Sequence, residues 1–437
     1  MNAIFLAIVG IAFIVAAWRQ LTWSPPAGDA EAQSPMEVLG LGMIDTAESA
    51  VMLAIGLIGV MGLFLGLMKV AEAGGLLRII ARLLRPVMIR LFPDVPAEHP
   101  AMGAIIMNLS ANVLGLGNAA TPFGIRAMQE LDTLNPHKGT ATNAMALFMA
   151  VNTSAVTLLP TGVIALRAAA GSSDPAGIVP TTLVATICST TVAIISCKLL
   201  QHRFATPPPD PIDDETEAPP RDDLVETPMA DQSGEPYPGW VSGLALAAVL
   251  GLVPLTVYFG HVIAPWIVPG LMVALLGFGA ARGVRVYEMF VEGARDGFNV
   301  AVRIIPYLVA ILVAVGMFRD SGAMEMLIQP LGAVTGKFGL PPEALPMALM
   351  RPLSGSGAYG ILASIINDPA VGPDSYAGYL VSTIQGSTET TFYVLAVYFG
   401  AVSVRRVRHA LPCALMADAA GVAAAVAICL VLYGAAG

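Results

Sequence analysis

Long apolar runs constrain this chain more than any other feature of its sequence. They fall roughly at 48–70, 140–170, 177–199, 239–260, 262–281, 298–318, 376–402 and 410–433. About 20 helical residues cross the hydrocarbon of a bilayer, so runs of this length predict membrane spans. Composition agrees: 56% of residues are apolar and 12% charged, against about 25% charged in soluble domains. There is too little charge to coat a water-facing surface, which excludes a soluble enzyme. The predicted fold class is all-α, a polytopic α-helical membrane protein. A shorter run at 2–18, ending at Trp18-Arg19, lacks a basic leader segment and is expected to be an uncleaved first helix.

The formal charge of −9 is local. Between Pro207 and Pro238 stand ten acidic residues and one Arg; the remainder holds 21 of each sign. Residues 205–238 also carry nine prolines. Such a stretch cannot bury enough apolar surface to offset its chain entropy, so it is expected to be a linker. The predicted division is a membrane half at 1–204, a linker at 205–238 and a second membrane half at 239–437. No basic cluster with interleaved aromatics points to nucleic acid. Cys188, Cys197, Cys413 and Cys429 form no C-x-x-C, and the five histidines are scattered. No metal site and no cofactor are expected.

Arg78, Arg82 and Arg85 fall on one helical face, with Leu76, Leu77, Ile80, Leu84 and Met88 around the rest. This pattern predicts an interfacial amphipathic helix over 74–92; an ordinary charged connector is the plainer alternative. Positive charge favours the cytoplasmic side. That places this helix inside, with Lys198, Arg203, Arg282, Arg285, Arg295 and the Arg405-Arg406-Val407-Arg408 cluster. The acidic stretch at 19–47 then lies outside. One path satisfies these anchors. Residues 140–170 count as one broken crossing, and the stretches near 100–135 and 341–367 enter and return on one side. Helix 48–70 then runs inward and helix 298–318 outward.

The two halves resemble each other. Each has a long helix, a short amphipathic piece and a proline corner, Pro96-Ala-Glu98-His-Pro-Ala-Met102 or Pro341-Pro-Glu343-Ala-Leu-Pro-Met347. A small-residue hairpin follows, holding Asn108, Ser110, Asn112 and Asn118 in one half and Arg351, Ser354 and Ser356 in the other. Then Asn152-Thr153-Ser154-Ala-Val-Thr157 matches Gly386-Ser387-Thr388-Glu389-Thr390-Thr391. With the orientation path, these matches predict inverted repeats with re-entrant hairpins and broken helices, a transporter signature. Irregular backbone at membrane depth must be buried in protein or line a cavity.

At these residues the chain resembles known families. Asn108 to Arg126, with G-N-A-A-T-P-F-G, and the stretch through Asn143 and Asn152-Thr-Ser are similar to spore maturation protein A. Arg303-Ile-Ile-Pro306-Tyr, Arg351-Pro-Leu-Ser-Gly-Ser-Gly357, Gly386-Ser-Thr-Glu389-Thr-Thr-Phe392 and Arg406-Val-Arg408-His-Ala-Leu-Pro412 are similar to spore maturation protein B. The resemblance implies a fusion of the two, with nucleoside-recognition gate repeats at about 44–200 and 285–435. It further implies a multi-pass protein of the bacterial inner membrane with a permease-like role, and a homo-oligomer. No G-x-x-x-x-G-K-[ST] is present, which disfavours G-protein-coupled iron transport.

The candidate binding residues are Asn108, Ser110, Asn112, Asn118, Thr121, Asn152, Thr153, Ser154, Arg351, Ser354, Ser356, Gln385, Ser387, Thr388, Glu389 and Thr390. Glu389 is the sharpest, because a carboxylate within an apolar span is costly and usually faces a cavity or a partner. It could couple transport to Na⁺ or H⁺, bind a solute group, or pair with Arg351 or Arg303. Arg351 could bind an anion with its planar fork or hold Glu389. The asparagines could read a polar solute or hydrogen-bond helix to helix. The expected function is transport of a small polar or anionic solute, identity open, with the lipid bilayer as the other partner. A non-transporting membrane scaffold is the alternative, and no enzyme is expected, since no catalytic constellation is present.

Overall fold

A computed structural model describes residues 2–25, 32–115, 117–154, 156–204 and 237–434. Most of the predicted linker, at 205–236, lies outside the described residues. The first half comprises α1 (Asn2–Leu21), α2 (Pro35–Ala73), α3 (Leu76–Leu91), α4 (Pro100–Val113), α5 (Gly117–Thr133), α6 (Asn143–Thr153), α7 (Thr161–Ala169) and α8 (Ile178–Leu200). The second comprises α9 (Gly239–Ala281), α10 (Val286–Asp320), α11 (Ala323–Thr335), α12 (Leu345–Met350), α13 (Gly355–Ile366), α14 (Tyr376–Ser387), α15 (Thr391–Gly400) and α16 (Ala410–Tyr433). Among the described residues, α8 and α16 are each apolar and long enough to cross a bilayer.

From α2 to α8 and from α10 to α16 the order of parts is the same. Each long helix ends at a glycine held at φ +82°, Gly75 or Gly322, where a side chain would be strained. Each then turns into a short helix. The turn after α2 bends the chain by 69°, which lays α3 across the end of the bundle. Leu77, Ala81 and Met88 of α3 are buried while Arg78 and Arg82 are exposed, as an interfacial helix requires; Arg85, expected on the same face, is instead half-buried with its guanidinium 3.3 Å from Glu98. The hairpin follows (α4 with α5, or α12 with α13), then a broken helix (α6 with α7, or α14 with α15), then a straight span.

The repeats run in opposite directions. Along α2 and α10, Gly42 meets Asp320, Thr46 meets Gly316, and Gly62 and Gly66 meet Gly297 and Gly293. Rising numbers on one helix face falling numbers on the other, so the pair is antiparallel. The facing Gly-x-x-x-Gly pairs, Gly62 with Gly66 and Gly293 with Gly297, let the backbones touch, the small-residue packing typical of membrane helices. The spans α8 and α16 are antiparallel too: the Tyr433 hydroxyl donates to Gly177 O at 2.7 Å at one end, and Ser189 Oγ donates to Ala417 O at 2.8 Å further along.

The stretch 239–281, expected as two spans, is one continuous run of helical backbone. A straight helix of 43 residues would reach about 64 Å. Yet the Tyr237 ring, just before it, lies 6.0 Å from the Arg82 guanidinium, and Phe278 near its end packs on Gly74. Both ends therefore sit beside α3, and the helix doubles back. Both ends still fall on the arginine-rich side, as the orientation path requires.

Each of the two main apolar cores draws on both halves. One combines α3 to α6 with α15 and the start of α16. The other combines α7 and α8 with α12 to α14 and the end of α16.

Candidate functional site

The two hairpin tips and the two helix breaks meet in the middle of the bundle. In the first repeat, Leu158 N donates to Val113 O at 3.0 Å, tying the break to the tip. In the second, Phe392 N donates to Pro352 O at 3.1 Å. Leu158 and Phe392 occupy the same place when the two breaks are aligned, so this is one contact made twice. The breaks are also joined to each other: Glu389 N donates to Thr153 O at 2.7 Å. Eight helix ends converge here, with backbone groups that helices leave unpaired.

Around that junction the predicted residues sort into three groups. The first is an amide cluster. Asn112 Nδ2 donates to Asn152 Oδ1 at 2.9 Å, and Asn108 Nδ2 donates to Ala120 O at 2.8 Å. The Tyr398 hydroxyl, from the second half, lies 3.2 Å from Asn108 Nδ2 and 3.4 Å from Asn152 Oδ1. Asn108 and Asn152 are buried, and Asn108 Oδ1 has no partner. The second group is ionic. Arg351, 3% exposed, donates from Nη1 to Thr390 Oγ1 at 2.9 Å and pairs with Glu389 at 3.7 Å. Its Nε has no partner, nor has Oε1 of buried Gln385, whose side chain lies against the Tyr359 hydroxyl.

The third group is already engaged. Ser110, Thr153, Ser154 and Ser387 each donate to a carbonyl three or four residues back in their own helices. These hydroxyls close helix ends rather than reach toward the junction. Ser354 caps α13, accepting from Gly357 N at 3.0 Å, and exposed Ser356 lies 3.4 Å from it. Thr388 is buried against Gly421 of α16, and Thr121 is half-buried on α5. The side chains of Asn118 and Arg303 lie outside the described residues. Glu389 departs from expectation in one respect. Its side chain is 51% exposed while its partner Arg351 is sealed. The break turns the Glu389 backbone toward Thr153 and leaves the carboxylate exposed.

Sequence reasoning passed over several residues. Asp418, alone in the apolar run of α16, is 4% exposed and accepts from Thr391 Oγ1 at 2.7 Å. The rule that singled out Glu389 would have found it. Arg167, in α7, is fully buried. It reaches across to the second half, donating to Pro373 O at 2.6 Å and to Asp374 Oδ1 at 3.0 Å, with its guanidinium 4.2 Å over the Tyr379 ring. Burial opposes the charge of Asp374. Donors from Ser172 and Ser173, with Arg167, outweigh it and hold this loop carboxyl below the usual carboxylate range. At the opposite end the halves meet again, where Ala141 N donates to Arg406 O at 2.9 Å and Arg408 Nη1 donates to Ala141 O at 3.0 Å. There His409, buried beside Arg408, is pushed down to about 4, by burial first and by the Arg408 charge second.

Antiparallel repeats with hairpins that turn back and helices broken at mid-bundle define a multi-pass helical membrane protein. The comparisons with known proteins agree. The family model for the nucleoside-recognition Gate domain matches residues 54–170 and 301–405. The chain belongs to this family. It is 44% identical to spore maturation protein B of Bacillus subtilis over 169 residues, 39% of this chain and 94% of that protein. It is 48% identical to spore maturation protein A of the same organism over 157 residues, 36% of this chain and 80% of that protein. A shorter match, 32% over 81 residues, covers 18% of this chain and about half (53%) of the inner membrane protein YjiG of Escherichia coli. No solved structure matches.

Proposed function

We propose that the protein is a membrane permease that moves a small polar or anionic solute through a site between its two inverted repeats. Residues 1–204 and 239–437 act as the two halves. The observation that carries this reading is the junction of the two breaks, Glu389 N to Thr153 O at 2.7 Å. Around it stand buried polar atoms without partners: Asn108 Oδ1, Gln385 Oε1 and Arg351 Nε. Leaving such atoms unpaired costs about 1–3 kcal/mol each, an expense a solute or its water would relieve. Arg351 and the ends of the half-helices favour an anionic or hydroxyl-bearing group. The exposed Glu389 carboxylate, costly against lipid, reads as the wall of a water-filled vestibule. Coupling to Na⁺ or H⁺ and assembly into a homo-oligomer belong to the same proposal.

The test is a thermal-stability screen of the purified protein against nucleosides, nucleotides, dicarboxylates, amino acids and metal ions, each with Na⁺ or K⁺. A ligand of the folded state adds about 2.7 kcal/mol at a hundredfold excess over its Kd. The expected hit disappears in Glu389→Gln and in Asn152→Ala. A hit that survives both variants unchanged removes the site, and silence across the panel favours the scaffold reading.

A further inference from the structure

We propose that Asp418, with Thr391 and Arg351, forms a proton-binding site directly behind the second helix break. The proposal rests on the transport reading above and deepens it, assigning the coupling ion to a residue other than Glu389.

Asp418 is 4% exposed and sits mid-span on α16. Thr391, the first residue of α15, donates its hydroxyl to Oδ2 at 2.7 Å, while Oδ1 has no partner. Among the described residues no Lys, Arg or His nitrogen lies within 4.0 Å of it. The charged group whose field reaches it is Arg351 on the hairpin tip, which is paired with Glu389 instead. The packed faces nearby are polar but uncharged: Ser189 of α8 bonds the Ala417 carbonyl, and both Ser189 and Thr388 press on Gly421. A carboxylate so placed needs a positive partner, and in membrane proteins such residues mark proton paths. A hard metal cation collects about six oxygen ligands, and the bonded oxygen here is the single Thr391 hydroxyl. A proton needs no more than that. Because Thr391 belongs to the break itself, movement of α15 alters the partner of Asp418. Movement of the hairpin carries Arg351 toward or away from it. Proton occupancy and the state of the break are thereby linked.

The experiment is infrared difference spectroscopy of the full chain reconstituted in lipid vesicles. Buffer is exchanged between about pH 8 and about pH 5, in choline chloride and in sodium chloride. A carboxylic-acid carbonyl band is expected on acidification, lost in Asp418→Asn, retained in Glu389→Gln and shifted in Thr391→Val. A band unchanged in Asp418→Asn, or lost only in Glu389→Gln, overturns the assignment. Suppression of the band by sodium overturns the proton in favour of the metal cation. If Asp418→Asn does not fold, Asp418→Glu and Thr391→Val carry the test, since either must move the band. No solute enters the measurement, so a failure of the transport reading would leave this result standing and the two failures can be told apart.

Discussion

Replacing Arg167 by methionine isolates the clamp that closes one end of the bundle across both halves. The change deletes bonds to Pro373 O, Asp374 Oδ1, Ser382 Oγ and Asp174 O, and the stacking on Tyr379. Breaking a buried charge pair costs about 3–5 kcal/mol. Asp374 is one-third exposed (34%) and partly screened, which points to the lower end, about 3 kcal/mol. Unfolding entropy of about 2.1 cal/mol/K per residue over 437 residues converts this to a fall in Tm of about 3 °C. The assay is thermal unfolding in detergent at fixed scan rate, with Arg126→Met as control. Arg126 is 55% exposed in its pair with Glu130, and such surface pairs contribute under about 1 kcal/mol. Arg167→Lys is expected to recover little, because a point charge cannot reproduce the fork. A fall for Arg167→Met no larger than the control's would refute the claim that this cluster bears on stability.

Further expectations follow from close approaches and titrating groups. Gly162→Ala places a methyl 2.5 Å from the Tyr359 hydroxyl and should destabilise by about 1–3 kcal/mol. Adding Tyr359→Phe, which leaves Cζ as the nearest atom at 3.4 Å, should restore most of the loss, and failure of that rescue would discount the contact. His409 is neutral when folded, pushed from 6.5 to about 4, so the unfolded chain binds its proton first. That contribution to stability is complete above about pH 6.5 and is lost as pH falls toward about 4. His409→Gln should flatten the stability profile in that window; an unaltered slope counts against it. Asp374 is held low, so its contribution is present above the unfolded carboxylate range and lost as pH falls below it. Asp374→Asn should lower stability at neutral pH and converge with wild type in acid, as read by thermal melts across pH.

Much of the architecture was legible because membrane depth enforces simple rules. Apolar length marked the spans, the arginine face marked α3, and clusters of Gly, Ser, Thr and Asn inside apolar runs marked both breaks. The matched motifs around Asn152 and Gly386 marked the repeat, and together with the path set by the positive charges they gave its inversion. What escaped has a common physical cause. Tyr398 reaches Asn108 over a separation of 290 residues, which no local pattern encodes. Ser110, Thr153, Ser154 and Ser387 look like ligand groups by type, yet each is spent on its own helix. Asp418 went unremarked because one acid in a long apolar run resembles an interruption until its burial is seen.

The mixed cores bear on how such a protein is made. In Bacillus subtilis the two matching relatives are separate chains, whereas this polypeptide carries stretches similar to both. Each core is completed by helices from the other half, so neither half synthesised alone could cover its own apolar faces. Joining the halves turns a meeting of two molecules into a first-order event within one. Assembly then no longer depends on expression level, stoichiometry is fixed at one to one, and no orphaned half is left in the bilayer for quality control to clear.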